Sequence, residues 1–166
     1  KKGKIMLEPL IHGGKSTTIF RSGTPATPLI VSLAKALRLA YVDFDKKNQH
    51  VLELHDYLIN RLNSLDVLIN SNEFCLPYIV NISLKGIKPE TMLHALEQDD
   101  IYISTQTACS TGNYSLAVFA VTNDMEKASH SIRVSLSYLT TKEEIDIFVN
   151  SLEKHISELS SLVIKK

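Results

Sequence analysis

At 166 residues, 44% of them hydrophobic and 22% charged, the chain fits one ordinary globular domain, or one small domain plus a piece of another. Its 18 Lys plus Arg balance 18 Asp plus Glu, so charge gives no reason to expect nucleic acid or an anionic membrane as partner. Two cysteines, Cys75 and Cys109, make no disulfide scaffold and no metal-type spacing, and no stretch approaches a membrane span. With no apolar run behind the first lysines, the expected compartment is the cytoplasm.

The opening KKGKIMLEPL offers neither an initiator Met nor a helix start, so residues 4–8 read as a strand from the interior of something longer. Residues 15–24, polar and interrupted after the Gly13-Gly14 turn signal, read as a loop. Pro25 and Pro28 suit a helix's first turn, and Leu29, Leu33, Leu37 and Ala40 continue as a helical stripe. A second helix carries Val51, Leu54, Leu58 and Leu62. Residues 66–70 are a short strand candidate. Tyr78, Val80, Ile82 and Leu84 then alternate with Ile79, Asn81, Ser83 and Lys85, a strand with one apolar face.

Pro89 opens a helix containing Met92, Leu93 and Leu96, and residues 101–103 form another short strand candidate. That segment runs into residues 104–112, a loop of small polar residues around Cys109, followed by a short helix over 116–121. Ile132, Val134, Leu136 and Tyr138 alternate with Ser131, Arg133, Ser135 and Ser137, the cleanest strand of the chain. Thr140 with Glu143 makes a capping-box pattern before a helix whose single apolar face holds Ile145, Phe148, Val149, Leu152, Ile156 and Leu159. The sum is a mixed α/β (α+β) fold, one sheet covered by helices on one face.

Three places could carry chemistry. Cys109 sits in a Ser, Thr and Gly-rich loop that leaves a thiol accessible, as a nucleophilic thiolate requires. With no partner base identifiable, composition alone slightly favours an inert buried thiol. Arg133 shares its strand face with Ser131 and Ser135, and a guanidinium so held suits a bidentate grip on a carboxylate, although a solvent-facing Arg is the commoner case. Arg21-Ser22-Gly23-Thr24 precedes a helix start, where a hydroxyl and free N–H groups make an anion site or simply a cap. Cys75, between Phe74 and Leu76, reads as structural. The six histidines show no metal spacing, and His50, His55 and His155 read as surface residues.

Five stretches in order resemble the cysteine desulfurases, in the class V aminotransferase group of pyridoxal-phosphate enzymes. His12-Gly13-Gly14 with Arg21-Ser22-Gly23-Thr24 resembles the family's glycine-rich segment and R-S-G-T, and Asn81-Ile82-Ser83-Leu84 its N-x-S strand. Residues 104–110 resemble the loop ending in S-A-C-[ST]. Residues 130–136 and 140–146 resemble the closing S-I-R-x-S-L and T-T-x-E-E-I-D. The resemblance implies the C-terminal part of a fold-type I enzyme, with residues 1–42 a remnant of the large domain and its linking helix, and 43–166 the small domain.

It also implies roles: Cys109 as the nucleophile that becomes a persulfide, Arg133 as the grip on the carboxylate of L-cysteine, and Thr24 as a contact to the cofactor phosphate across a homodimer interface. The reaction would convert L-cysteine to L-alanine and pass sulfur to an acceptor protein, an iron–sulfur scaffold or a tRNA-thiolation enzyme. Two stretches depart from the pattern: Lys15-Ser16-Thr17 stands where Gly then Gln-Glu is usual, and Asn113-Tyr114-Ser115 where Glu-Pro-Ser is usual. The family's Schiff-base lysine follows a histidine, and no His-Lys pair occurs here, so the expectation is a fragment without covalently bound pyridoxal phosphate and inactive by itself. The rival readings are a related class V aminotransferase, a selenocysteine lyase, or an inert dimerisation or acceptor-docking module.

Overall fold

The computed structural model describes residues 7–14, 18, 20–105 and 114–163, so the strand expected over 4–8 lies largely outside the described residues. The chain forms two compact units, Lys1–Phe44 and Asp45–Lys166. In the first, helix α1 spans Thr27–Ala40 with Pro28 in its first turn. Its start falls beyond Pro25 because Ala26, not Thr24, is the N-cap, and Ala26 supplies the first accepting carbonyl, to the Ile30 N–H. The leucine stripe exists, yet no residue of α1 is buried.

The second unit holds the core. Helix α2 (Phe44–Leu62) buries Val51, Leu54, Leu58 and Leu62. Strands β1 (Val67–Ile69), β2 (Ile79–Leu84) and β3 (Ser131–Ser135) form an antiparallel sheet of order β1-β2-β3. Helix α3 (Pro89–Glu97) and the long helix α6 (Lys142–Val163) complete the apolar layer. Val80, Ile82, Leu84, Ile132 and Val134 share one core cluster with the buried faces of α2, α3 and α6. This is the consequence of period-2 strands and period-3.6 helices burying their apolar sides together. Tyr57 of α2 donates to Asp146 of α6 at 2.8 Å, and Arg61 reaches Asp146 and Asn150, so a polar rim ties the same two helices.

The sheet's other face is polar. Two short helices lie over it, α4 (Leu116–Thr122) and α5 (Met125–Ser129), joined through Asn123 in the left-handed conformation. Ser115 caps α4 and Asp124 caps α5, each side chain accepting an N–H three residues on. The Ser83 hydroxyl of β2 donates to the Lys127 carbonyl at 2.8 Å, which fixes this helical pair to the sheet.

Three local expectations shift. Residues 101–103 form no strand; only Ser104 pairs, in a single antiparallel bridge with Arg133. β3 ends at Ser135, because the Ser137 N–H turns to the Thr140 hydroxyl and builds a turn. That use of Thr140 moves the capping box one residue on: Thr141 N–H donates to Glu144 at 2.8 Å and Glu144 N–H to the Thr141 hydroxyl at 3.2 Å. Among the described residues no helix is long and apolar enough to cross a membrane.

Candidate functional site

The register of β2 against β3 places Asn81 directly opposite Arg133 and Ser83 opposite Ser131, so the sheet's polar face carries a row of hydrogen-bonding side chains. Asn70, just past β1, extends the row, its N–H bonding to the Asn81 carbonyl at 2.9 Å. Its amide Nδ2 donates to Asn81 Oδ1 at 2.7 Å and to Ser83 Oγ at 2.6 Å. Because Ser83 spends its single proton on the Lys127 carbonyl, Asn70 must be the donor here, which fixes its amide orientation. On the far side of β3, Ser104 exchanges both backbone hydrogen bonds with Arg133 and accepts one from Arg133 Nη2 at 3.1 Å.

Asn70, Asn81 and Arg133 of this row line an open cavity of about 370 Å³ between the sheet's polar face and α4. Asn70, Asn81 and Arg133 meet Ile79, Leu76, Val118 and Val121 there, a mostly apolar pocket with one guanidinium. Arg133 Nε and Asn70 Oδ1 are buried and have no hydrogen-bond partner among the described residues. No salt bridge neutralises Arg133 among the described residues. Buried polar atoms left unpaired are uncommon in folded proteins, and each calls for an explanation.

Cys75 reads as structural in the sequence, but the structure places it on the surface and in the wall of this cavity. A turn holds it there: Cys75 N–H bonds to the Asn72 carbonyl at 3.0 Å, and its thiol meets the Asn72 backbone and side chain. Cys109 lies outside the described residues. Thr105 and Ser115, on either side of that segment, both line the cavity.

Within the first unit the two halves of the glycine-rich motif come together. Ile11 and Arg21 form a parallel bridge, Ser22 N–H donates to the Ile11 carbonyl at 3.2 Å, and the Ser22 hydroxyl to that of Gly14 at 3.0 Å. A Cβ on Gly13 would stand 3.0 Å from Ser22 Cβ, and Gly23, at φ +119°, adopts backbone that L side chains rarely accept. Thr24 follows, exposed, its hydroxyl without a partner among the described residues.

Of the histidines, His155 departs from the surface placement expected of it: it is 6% exposed. Its ring nitrogens face Asp99 at 2.9 Å and Glu158 at 3.1 Å. The hydrogen bond from Ser151, then that from His155, hold the Asp99 carboxyl below its ordinary range. The cluster ties α6 to the turn after α3, and no group of His, Cys, Asp and Glu among the described residues is placed to hold a metal.

Residues 3–148 match the Aminotransferase class-V family model. The chain belongs to the class V aminotransferase family. It is 33% identical over 163 residues to the "Cysteine desulfurase IscS" of Dictyoglomus turgidum, covering 94% of this chain and 41% of that protein. It is equally 33% identical to the "Cysteine desulfurase, mitochondrial" of Saccharomyces cerevisiae, covering 98% of this chain and 34% of that one. Among solved structures a NifS-like protein matches with a TM-score of 0.77 at 30% identity, over 94% of this chain and 40% of its own. A NifS-like protein from Rickettsia africae gives 0.73 at 26%, over 93% and 41%. The chain thus spans about two-fifths of the length of the class V relatives it resembles. Its homologues being cysteine desulfurases, the rival aminotransferase, selenocysteine lyase and docking-module readings are not favoured.

Proposed function

We propose that these residues are the C-terminal portion of a cysteine desulfurase, with 1–42 part of the large domain and its linking helix and 43–166 the small domain. The observation that carries this is Arg133: a guanidinium without a carboxylate partner among the described residues, seated by Ser104, with Nε buried and unpaired in a cavity wall. A substrate carboxylate supplies the acceptor that the wall lacks, in the bidentate geometry a guanidinium favours. The relatives' shared name, cysteine desulfurase, points to L-cysteine as the molecule that brings it.

Cys109 is the sulfur acceptor in this reading. It stands four positions after Thr105 of the cavity wall, a length of chain that spans at most about 14 Å. The balance is one thiol plus L-cysteine giving one persulfide plus L-alanine: the substrate's carbon–sulfur bond breaks and a sulfur–sulfur bond to Cys109 forms. The persulfide then passes to an acceptor protein, and the working unit is a homodimer.

Pyridoxal phosphate, the cofactor implied, supplies an electron sink when bound. The described residues fit it only in part. The Thr24 hydroxyl, exposed and without a partner among the described residues, suits a phosphate oxygen. Among the described residues no lysine lines the cavity of Arg133, so none of them there fits a covalent link to the cofactor's aldehyde. The chain alone is therefore expected to be inactive, and the linking amine to come from the rest of the polypeptide. The test is to incubate the complete polypeptide containing these residues with pyridoxal phosphate and L-cysteine and to quantify alanine. Stoichiometric or catalytic alanine supports the reading; cofactor binding without alanine refutes it while leaving the family intact.

A further inference from the structure

We propose that Ser104 is the residue that positions Arg133 for its carboxylate. The inference rests on the reading of Arg133 as the carboxylate grip and extends it to a neighbour to which neither the sequence pattern nor the family resemblance assigns a role.

Arg133 is held twice over by one residue. Its N–H donates to the Ser104 carbonyl at 2.6 Å, and its carbonyl accepts from the Ser104 N–H at 3.2 Å. On its other side the β3 backbone is paired with Asn81 of β2. The backbone that launches the side chain is therefore fixed from both edges. The Ser104 hydroxyl then accepts from Nη2 at 3.1 Å, which restrains the guanidinium plane. A long arginine side chain otherwise loses considerable rotamer entropy on binding, and preorganisation removes that cost in advance.

The chemistry of the partner matters as much as its place. A carboxylate at position 104 would orient the guanidinium equally well, but it would neutralise the charge and compete with the incoming ligand. A hydroxyl orients without neutralising. No acidic side chain pairs with Arg133 among the described residues, so the full positive charge is kept for the cavity. Ser104 also adjoins Thr105 in the cavity wall, so the anchor of the guanidinium and the rim of the cavity are one continuous piece of chain.

The experiment compares Ser104→Ala, Ser104→Thr and Arg133→Ala in the complete polypeptide, by steady-state kinetics on L-cysteine and by thermal unfolding. Alanine keeps the backbone bridge and removes only the hydroxyl. The expected result is a KM raised about three- to tenfold, the scale of one ordinary net hydrogen bond, with kcat and Tm nearly unchanged. Threonine, which keeps the hydroxyl, restores most of the loss, and Ser104→Ala adds nothing in an Arg133→Ala background. A KM within about twofold of wild type, or a loss that falls on kcat and Tm and is not rescued by threonine, overturns the inference. Arg133→Ala separates the two levels. If it leaves KM unmoved, the carboxylate reading fails and the Ser104 inference with it; if it raises KM while Ser104→Ala does not, only the Ser104 inference fails.

Discussion

Helices α1 and α2 carry leucines at the same helical spacing, and the structure gives them opposite surroundings. Leu58 of α2 is 0% exposed, and Leu33 of α1 is 69% exposed. Truncating Leu58 to alanine removes buried methyl groups and leaves a cavity, a loss of about 2–5 kcal/mol. For a unit of this size, about 3 kcal/mol corresponds to a midpoint roughly 10 °C lower. Truncating Leu33 removes atoms that are mostly in water already, so its cost stays below about 1 kcal/mol. Urea unfolding of the 166-residue chain, followed by far-UV circular dichroism, reads both changes, with the slope checked for two-state behaviour. Equal losses for the two variants, or a loss below about 1 kcal/mol for Leu58→Ala, would refute the burial argument.

Arg133→Ala in the complete polypeptide raises KM for L-cysteine by about ten- to a hundredfold, the range of a lost charged hydrogen-bond pair, as read by steady-state kinetics. The Asp99 cluster gives a pH signature. The Asp99 carboxyl is held below its ordinary value by Ser151 and His155, so its stabilisation is present above the unfolded-state value and is lost as pH falls through the folded one. Wild type is therefore more stable than Asp99→Asn at pH 6, and the gap closes in scans carried to acid below the ordinary carboxylate range. Thr141→Ala costs about 1 kcal/mol in urea unfolding, as loss of a helix cap does, and Thr141→Ser recovers most of it. In a Cys109→Ser background, Cys75 is the one remaining thiol and reacts with an aromatic disulfide in the native chain without a lag, as its exposure requires.

Much of the architecture was legible because the apolar periods are clean. Val80, Ile82 and Leu84 announce their strand face, and Ile145, Phe148, Val149 and Leu152 their helix face, with no competing pattern. What was not legible depended on contacts distant in sequence. Ile101-Tyr102-Ile103 has the composition of a strand, but a strand needs a partner, and only Ser104 finds one. Thr140 and Thr141 are the same residue type side by side, and the demand of the Ser137 N–H decides which of them caps α6. His155 looks like a surface residue on an amphipathic helix until Asp99, 56 positions earlier, supplies a buried partner. Arg133 was legible as a candidate from its place among serines. Its cavity was not, because Asn70, Asn81, Cys75 and Val118 meet it only after the chain folds.

The most direct test of the central claim compares the complete polypeptide with its Cys109→Ser variant. Each is incubated with pyridoxal phosphate and L-cysteine, and protein-bound persulfide is quantified together with alanine. The account predicts both products from wild type, and neither persulfide nor turnover from the variant. Undiminished alanine and persulfide from Cys109→Ser would contradict it.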